Sequence, residues 1–278
     1  MIPFDWVDTV QRALAEDVGQ GDMTTRCLID SQADCMATLE CKQEGVLAGL
    51  AVAEYIFTYL DSDSCFQSLY QDGDFVVAGT VIAEIRGKVA AVLTGERVAL
   101  NFLQRLSGVA TRTAAYVAEI KGTQAQLLDT RKTTPGLRGM EKYAVVAGGG
   151  HNHRFNLADG ILIKDNHIAA VGSITDAITK ARFGAPALLK IEVEVENMSQ
   201  LQEAIEAKAD MIMLDNMDLT TMREAVKLTA GRVKLEASGG VRLNTIRAIA
   251  ETGVDYISVG ALTHSAPSID ISLTIHNN

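Results

Sequence analysis

The sequence has no long hydrophobic segment. A helix that crosses a bilayer needs about 20 consecutive apolar residues, and the 278-residue chain has no run of that length. The first 18 residues alternate the apolar Phe4, Trp6, Val10 and Leu14 with charged residues, which is the pattern of an amphipathic helix and not of a secretion signal. We therefore expect a helix within residues 1–18 and a cytoplasmic protein with no membrane partner.

Cysteine and proline are also scarce. The chain has four of each, and Cys27, Cys35, Cys41 and Cys65 lack the CxxC spacing of zinc and redox sites. We predict that these cysteines are reduced and buried. With 47% hydrophobic residues and few prolines, the composition indicates one or two well-packed globular domains.

Basic residues are outnumbered by acidic ones, 25 to 35, and the net charge of -10 argues against a nucleic-acid-binding surface. The balance reverses between Asp129 and His167. Six basic and four acidic residues occur there: Arg131, Lys132, Arg138, Lys142, Arg154 and Lys164, against Asp129, Glu141, Asp159 and Asp165. A basic region inside an acidic chain can attract small anions into one cleft. The charge pattern therefore favours a small anionic ligand.

Short apolar and β-branched segments predict the fold of the second part of the chain. Six of them are candidate strands: 126–128, 160–163, 188–193, 211–214, 233–235 and 256–259. The last three begin 22 and 23 residues apart, which is the length of one strand, one helix and two loops. Apolar positions three and four apart predict helices at 199–208, 219–229 and 243–252. The pattern predicts an incomplete TIM-like βα barrel with about six parallel strands instead of eight.

The first part of the chain has a different pattern. It predicts three strands and two helices: strands at 37–40, 75–77 and 81–85, and helices at 50–60 and 95–106. This mixture is typical of an α+β domain. We predict an N-terminal α+β domain at 1–103 and a C-terminal barrel at 104–278, whose last residues could pack back on the N-terminal domain.

Charged residues and glycines follow nearly every predicted barrel strand. Because the functional residues of βα barrels lie at the carboxyl ends of the strands, these positions are the candidate site. Basic residues follow the early strands, acidic residues the middle strands and glycines the last two: Arg131, Lys132 and Lys164; Glu194 and Asp215; Gly239, Gly240 and Gly260. This segregation indicates a substrate with separate anionic, polar and phosphate parts.

Each group of residues suits one kind of ligand atom. Glu194 and Asp215 should face the same mouth, where two carboxylates can hold sugar hydroxyls, Mg2+ or a developing cation. Glycines at 239–240 and 260 let the backbone approach a phosphate, and Ser238 adds a hydroxyl donor. The sequence therefore predicts a mouth with a carboxylate side and a phosphate side.

The histidines and lysines leave alternatives open. His153 is a candidate hydrogen-bond donor to an anion, and zinc binding with His151 is less favoured because the adjacent Arg154 would repel a dication. Lys132 or Lys164 could form a Schiff base, as in barrel aldolases. A non-catalytic barrel that senses a nucleotide is a further alternative.

Several longer motifs together carry a resemblance to a known family: Thr130-Arg131-Lys132-Thr133-Thr134-Pro135, His151-Asn152-His153-Arg154-Phe155-Asn156-Leu157, Leu162-Ile163-Lys164-Asp165-Asn166-His167, Glu192-Val193-Glu194, Leu214-Asp215-Asn216 and Glu236-Ala237-Ser238-Gly239-Gly240. In this order they resemble the quinolinate phosphoribosyltransferases, the decarboxylating nicotinate-nucleotide pyrophosphorylases of NAD synthesis. The likeness extends over nearly the whole chain. It implies a Mg2+-dependent transfer from phosphoribosyl pyrophosphate to quinolinate that yields nicotinate mononucleotide, pyrophosphate and CO2.

The resemblance also implies roles for individual residues. The dicarboxylate and the neighbouring phosphates would be held by Arg97, Thr130, Arg131, Lys132, His153, Arg154 and Lys164. Glu194 and Asp215 would bind ribose hydroxyls or Mg2+ and stabilise the cation at the sugar carbon, and with Lys132 they would be the catalytic residues. The 5-phosphate would contact the backbone of Ser238, Gly239, Gly240, Val259, Gly260 and Ala261.

Two further expectations come from the same family. The arginine that matches Arg97 enters the pocket of a neighbouring subunit in its members, so the resemblance implies a homodimer with Arg97 contributed across the interface. Close paralogues keep the Thr-Arg-Lys-Thr motif of residues 130–133. A paralogous phosphoribosyltransferase with another anionic substrate is therefore the main alternative within this fold.

Overall fold

The computed structural model describes residues 6–276, which divide into two compact units. The first unit comprises Met1–Ala114, Thr133–Gly149 and Leu262–Asn278, and the second comprises Ala115–Lys132 and Gly150–Ala261. The sequence predicts a single boundary between residues 103 and 104, whereas each unit is built from separate segments of the chain. One boundary in the sequence cannot separate two units whose segments alternate along the chain.

The described residues form eleven helices and twelve strands. The helices are α1 (Val7–Val18), α2 (Met23–Leu28), α3 (Leu50–Leu60), α4 (Val89–Glu119), α5 (Arg138–Ala147), α6 (Asp165–Val171), α7 (Ile174–Gly184), α8 (Met198–Glu206), α9 (Leu219–Thr229), α10 (Leu243–Ala250) and α11 (Ala261–His264). The strands are β1 (Asp34–Cys41), β2 (Gly45–Val46), β3 (Cys65–Ser68), β4 (Phe75–Val76), β5 (Val81–Lys88), β6 (Gln126–Leu128), β7 (Ile161–Ile163), β8 (Ile191–Val195), β9 (Met211–Asp215), β10 (Lys234–Ser238), β11 (Tyr256–Ser258) and β12 (Ile271–His276).

The first unit contains a four-stranded antiparallel sheet in the order β12-β1-β5-β3 and a short β2-β4 pair. Along β1, Cys35, Ala37, Leu39 and Cys41 are buried and the residues between them are not. This alternation is what a strand with one covered face requires. Because β12 pairs with β1, residues from the end of the chain complete the sheet that begins near residue 34.

Helix α4 is much longer than the predicted segment 95–106, since it runs from Val89 to Glu119. Glycine weakens a helix interior, yet Gly95 and Gly108 both lie inside α4. A Cβ at Gly95 would lie 2.9 Å from Leu60, and one at Gly108 would lie 2.0 Å from the carbonyl oxygen of Pro267. Close packing within the first unit therefore explains why these two positions are glycine and why the helix continues through them.

The second unit contains a six-stranded sheet in the order β6-β11-β10-β9-β8-β7. Every pair of neighbouring strands is parallel, and His151 adds a parallel bridge to Leu128 on β6. All six predicted strands are present. Helices α8 and α9 begin after Asn197 and Asp218, whose side chains accept hydrogen bonds from backbone N–H groups of the first turn. The prediction of an incomplete barrel with six parallel strands is confirmed.

The cysteines and the N-terminal helix differ in part from the predictions. Cys35 and Cys41 are buried as predicted, but Cys27 and Cys65 are exposed, so the prediction of four buried cysteines was wrong for those two. Cys65 lies on β3 at the edge of its sheet, where one side of the strand has no neighbour. The predicted N-terminal helix begins at Val7, and Phe4 lies outside the described residues.

Within residues 6–276, the structure has no helix that is both long enough and apolar enough to cross a membrane.

Candidate active site

The second unit has a cavity of about 520 Å³ at the carboxyl ends of its strands. Its walls are formed by Thr130, Arg131, Lys132, His153, Arg154, Leu162, Lys164, Glu194, Met213, Asp215, Asn216, Glu236, Ser238, Gly239, Gly240 and Ser258. Parallel strands end at the same edge of a sheet, so residues far apart in sequence meet there. The cavity is therefore where functional residues of this fold are expected.

One side of the cavity is cationic. Arg131, Lys132, Arg154 and Lys164 all line it. The guanidinium of Arg154 donates from Nη1 to the carbonyl oxygen of Gly160 at 2.9 Å, which fixes its direction. Burial, and after it the nearby charge of Arg131, lowers the pKa of Arg154. Cations held this close are stabilised by a bound anion, so this side suits carboxylate or phosphate groups.

Two carboxylates also line the cavity. Glu194 Oε2 accepts a hydrogen bond from Lys164 Nζ at 2.5 Å, and Asp215 Oδ2 accepts one from Asn216 Nδ2 at 2.9 Å. Among the described residues, Glu194 Oε1 and Asp215 Oδ1 accept no hydrogen bond. Each carboxylate therefore has one oxygen fixed by the protein and one oxygen left for a hydroxyl group or a hard cation such as Mg2+.

The end of β10 forms a turn that only glycine adopts easily. Gly239 and Gly240 have φ angles of 95° and 61°, in the region that favours glycine. A Cβ at Gly239 would also lie 2.1 Å from Oδ1 of Asn216. Ser258 Oγ donates to Ser238 Oγ at 3.1 Å. The result is a stretch of exposed backbone with two hydroxyls beside it, which suits a phosphate.

His153 and Glu236, which line the cavity, form a cluster with the buried Glu192. His153 Nε2 lies 3.0 Å from Glu192 Oε2 and 3.5 Å from Glu236 Oε2. His153 Nδ1 accepts a hydrogen bond from the backbone N–H of Arg154 at 2.8 Å, which assigns the ring proton to Nε2. The ligand atoms of the three residues lie within 4.8 Å of one another. This spacing would admit a metal ion, but the charge of the adjacent Arg154 opposes a dication there.

Four of the predicted site residues are not among the described residues that line this cavity. Arg97 is exposed on α4 in the first unit. Val259 is buried after β11 and its N–H donates to the carbonyl oxygen of Leu128. Gly260 and Ala261 follow it at the start of the short α11. The other predicted residues, from Thr130 to Gly240, are all brought together in the cavity wall.

Glu236, Asn216 and Ser258 also line the cavity, although no role was predicted for them from the sequence. Glu236 lies two residues before Ser238 on β10, and residues two apart on a strand share a face. The same rule could have found Ser258 on β11, two residues before the predicted Gly260. Strand alternation was therefore an available signal for Glu236 and Ser258.

A parallel βα barrel whose strand ends combine cations, two carboxylates and a glycine turn defines an enzyme of the phosphoribosyltransferase class. The chain belongs to the quinolinate phosphoribosyl transferase family. The model of the N-terminal domain of that family matches residues 22–107, and the model of its C-terminal domain matches residues 109–274. The family predicted from the sequence motifs is confirmed.

Curated relatives and solved structures agree with this membership. A Bacillus subtilis protein named probable nicotinate-nucleotide pyrophosphorylase (carboxylating) is 52% identical over 262 residues, covering 94% of this chain and 90% of the relative. A Mycobacterium leprae nicotinate-nucleotide pyrophosphorylase is 41% identical over 274 residues, with 96% of each chain covered. The crystal structure of NadC from Streptococcus pyogenes is similar with a TM-score of 0.96 and 48% identity, covering 100% of this chain and 99% of that one.

Proposed function

We propose that the chain transfers the phosphoribosyl group of phosphoribosyl pyrophosphate to quinolinate and removes one carboxyl group, in the synthesis of NAD. The products are nicotinate mononucleotide, pyrophosphate and CO2. The main support for this proposal is the cavity, which is lined by three kinds of group: four cations, two carboxylates and a glycine turn. A pyridine dicarboxylate and a phosphorylated sugar need those three environments at once.

The cations are suited to the dicarboxylate. Arg131 and Arg154 offer guanidinium forks that match a carboxylate in two hydrogen bonds, whereas Lys132 and Lys164 supply point charge. His153 has both ring nitrogens within hydrogen-bond distance of protein groups. We therefore propose that the substrate contacts Arg131, Lys132, Arg154 and Lys164, together with the neighbouring Thr130. His153 supports Arg154, whose backbone N–H donates to its Nδ1.

The carboxylates are suited to the sugar. As pyrophosphate leaves, positive charge develops at the ribose carbon, and Glu194 and Asp215 stabilise it electrostatically. Their free oxygens, Oε1 of Glu194 and Oδ1 of Asp215, are hard donors that fit Mg2+ as well as ribose hydroxyls. When bound, Mg2+ supplies positive charge that neutralises the departing pyrophosphate. Ser238, Gly239 and Gly240 hold the 5-phosphate, to which the backbone at 259–261 also contributes in the proposal.

Decarboxylation follows bond formation. The ring nitrogen of quinolinate bonds to the ribose carbon as the bond to pyrophosphate breaks, and the nitrogen becomes positively charged. It can then accept the electron pair of the adjacent carbon–carboxylate bond as CO2 leaves, and the ring carbon takes up a proton. Lys132 and Arg154 stabilise the substrate in this orientation until the carboxylate departs.

The experiment is an ultraviolet assay of nicotinate mononucleotide formation from quinolinate and phosphoribosyl pyrophosphate, with nicotinate as the control substrate. We expect turnover of quinolinate only. Nicotinate lacks one carboxylate and would leave a cation of the cavity unpaired, at a cost on the order of 3 kcal/mol. Comparable turnover of nicotinate, or turnover of neither, would contradict the proposal and favour a paralogous substrate.

A Lys-dependent aldolase on the same fold is the alternative that the structure allows to be tested directly. A Schiff-base lysine must lose its proton to act as a nucleophile, and Lys164 is instead bonded to the carboxylate of Glu194. We expect no covalent adduct when borohydride is added with carbonyl substrates. A stable adduct on Lys132 or Lys164 by mass spectrometry would support the aldolase.

The proposal includes a homodimer in which Arg97 completes the cavity of the partner subunit. Its support is that Arg97 is exposed on α4 and is a cation that the family places near the substrate. The test mixes inactive Arg97→Ala and Lys132→Ala chains and lets their subunits exchange. Half of the dimers should then contain one chain of each kind, and each of these has one intact site. The mixture should therefore regain about a quarter of wild-type activity. Activity that stays at the level of the single variants, with exchange confirmed by mass spectrometry, would place Arg97 in its own subunit.

A cytoplasmic location is also part of the proposal. All four cysteines are free, and two of them are exposed. Exposed free thiols suit a reducing compartment.

A further inference from the structure

Glu236 has an unusual environment for a glutamate. It lies on β10, its side chain is fully buried, and both carboxyl oxygens lack a hydrogen-bond partner among the described residues. Its Cα partners on the neighbouring strands are Met213 and Tyr256. An ionised carboxylate that is buried without hydrogen bonds is strongly disfavoured. Glu236 therefore needs either a counter-charge or a proton.

The counter-charges near Glu236 do not suffice for two carboxylates. Among the described residues, His153 is the one side chain able to carry a positive charge that lies within ion-pair distance of Glu236. Its Nε2 is 3.5 Å from Glu236 Oε2 but only 3.0 Å from Glu192 Oε2. One imidazole balances at most one negative charge. Arg154 also attracts Glu192 electrostatically. The ring proton of His153 is thus directed to Glu192, near which Arg154 adds positive charge, and Glu236 is left without a counter-charge.

A proton on Glu236 would satisfy the cluster. Glu192 Oε1 is buried and has no hydrogen-bond partner among the residues described, so it can accept a hydrogen bond from a protonated Glu236. One carboxyl oxygen of Glu192 and one of Glu236 lie within 4.8 Å of each other, and a hydrogen bond between the two side chains is among the causes that raise the pKa of Glu236. Two of the unsatisfied oxygens would then be paired by one shared proton, as in other close carboxyl pairs.

We propose that Glu236 is a specificity-determining residue that lines the cavity uncharged, hydrogen-bonded to Glu192, and so keeps the cavity positive enough for a doubly anionic ring. The inference rests on the proposed function, since quinolinate is such a ring. A second carboxylate charge in this cluster would cancel one of the cations that line the cavity.

The electrostatics agree with this geometry. Burial, and after it the charge of Glu192, raises the pKa of Glu236 to about 8. The titratable groups that face it are Glu192 on β8 and His153 on the segment after α5. Glu192 raises the pKa of Glu236, whereas His153 and the hydroxyl of Ser258 on the neighbouring β11 lower it by less than burial and Glu192 raise it. Glu236 is therefore uncharged near neutral pH and becomes charged only in more alkaline solution.

The first experiment is infrared spectroscopy of the unliganded protein, which detects the carbonyl band of a protonated carboxyl group. We expect this band at about pH 7 in the wild type and its loss above about pH 8. Glu236→Gln should remove it, whereas Glu224→Gln, at an exposed position of α9, should leave it. Absence of the band from the wild type, or its persistence in Glu236→Gln, overturns the inference. If Glu236→Gln does not fold, the wild-type titration decides by itself.

The second experiment measures quinolinate affinity by calorimetry at about pH 7 and pH 9. If one pKa near 8 controls binding, wild-type affinity should fall roughly tenfold between these pH values, and Glu236→Gln should change by less than about twofold. Equal pH dependence in both proteins overturns the inference. Mg2+ or Zn2+ binding that Glu236→Gln abolishes also overturns it, because the metal would hold Glu236 ionised.

The two proposals can fail separately. If the wild type binds no quinolinate at any pH, the proposed function fails, and the infrared band still decides whether Glu236 is uncharged. If quinolinate binds and the band is absent, the proposed function survives and the inference about Glu236 does not.

Discussion

Two fully buried glutamates, one in each unit, have opposite environments. In the first unit, Glu141 accepts hydrogen bonds from Nε and Nη2 of Arg105, at 3.2 and 2.7 Å, and from the backbone N and hydroxyl of Thr134, at 3.0 and 2.8 Å. In the second unit, Glu236 accepts none from the described residues. Both side chains have an exposed fraction of 0%, so burial alone does not distinguish them.

The difference separates a structural charge from a functional one. Arg105 also donates to the carbonyl oxygens of Thr263 and Ala266, so the Glu141 network joins distant segments of the first unit. A fully satisfied buried network adds rigidity, whereas an unsatisfied buried group needs a proton, a ligand or a water molecule to complete it. We therefore expect substitutions around Glu141 to alter stability and substitutions around Glu236 to alter binding and pH dependence.

Glu141→Ala should give the largest effect. Removing this carboxylate leaves Arg105 and Thr134 without their acceptor in a buried place, and we expect the free energy of unfolding to fall by about 3 kcal/mol. Urea denaturation followed by circular dichroism measures it. Glu224→Ala, at an exposed position, is the control and should change stability by less than about 0.5 kcal/mol. If the free energy of unfolding of Glu141→Ala falls by less than about 1 kcal/mol, Glu141 does not have the structural role that we assign to it.

Asp215→Ala should show the reverse pattern. Its carboxylate lines the cavity and is only partly buried, so we expect little change in thermal stability and a fall in kcat of roughly a hundredfold, from the loss of transition-state stabilisation. Steady-state kinetics with quinolinate measure it. Asp176→Ala, on the exposed face of α7, should retain wild-type kcat. A stable variant with normal kcat would remove Asp215 from the catalytic residues.

Lys132→Ala and Arg154→Ala should each weaken quinolinate binding by at least about tenfold, because a charge-assisted hydrogen bond to a carboxylate contributes about 1.5 kcal/mol or more. Calorimetry of the binary complex measures it. Lys180→Ala, outside the cavity on α7, is the matched control. Normal affinity in both cavity variants would contradict the assignment of this side to the dicarboxylate.

Glu236→Gln should change stability by an amount that depends on pH. The pKa of Glu236 is raised from 4.5 to about 8 in the folded chain, so the folded state binds more protons than the unfolded state between these values. The stability that this proton contributes is complete below about pH 4.5 and is lost as the pH rises to about 8. Glutamine does not titrate. The melting temperature of Glu236→Gln relative to wild type should therefore rise from pH 5 to pH 8, and a constant difference would contradict the assignment.

Much of the barrel could be predicted because its signals are local. Each of the six strands is a short apolar segment, and the residues that end them are in the cavity wall as far as Gly240. Predictions failed or fell short where packing overrides local preference. Helix α4 continues through Gly95 and Gly108 because other segments of the first unit approach them closely, and nothing in the neighbouring sequence indicates that contact.

By itself the sequence determined the family, the parallel barrel and the anionic character of the ligand, because these depend on residue types and spacings that are present along the chain. Only the tertiary structure decided which buried charges are satisfied. His153, Glu192 and Glu236 lie on three segments about 40 residues apart, and the composition of those segments does not reveal that they meet. Hydrogen bonds and ion pairs act over a few ångströms in space, so the state of a buried carboxyl group depends on neighbours that the folded chain brings to it.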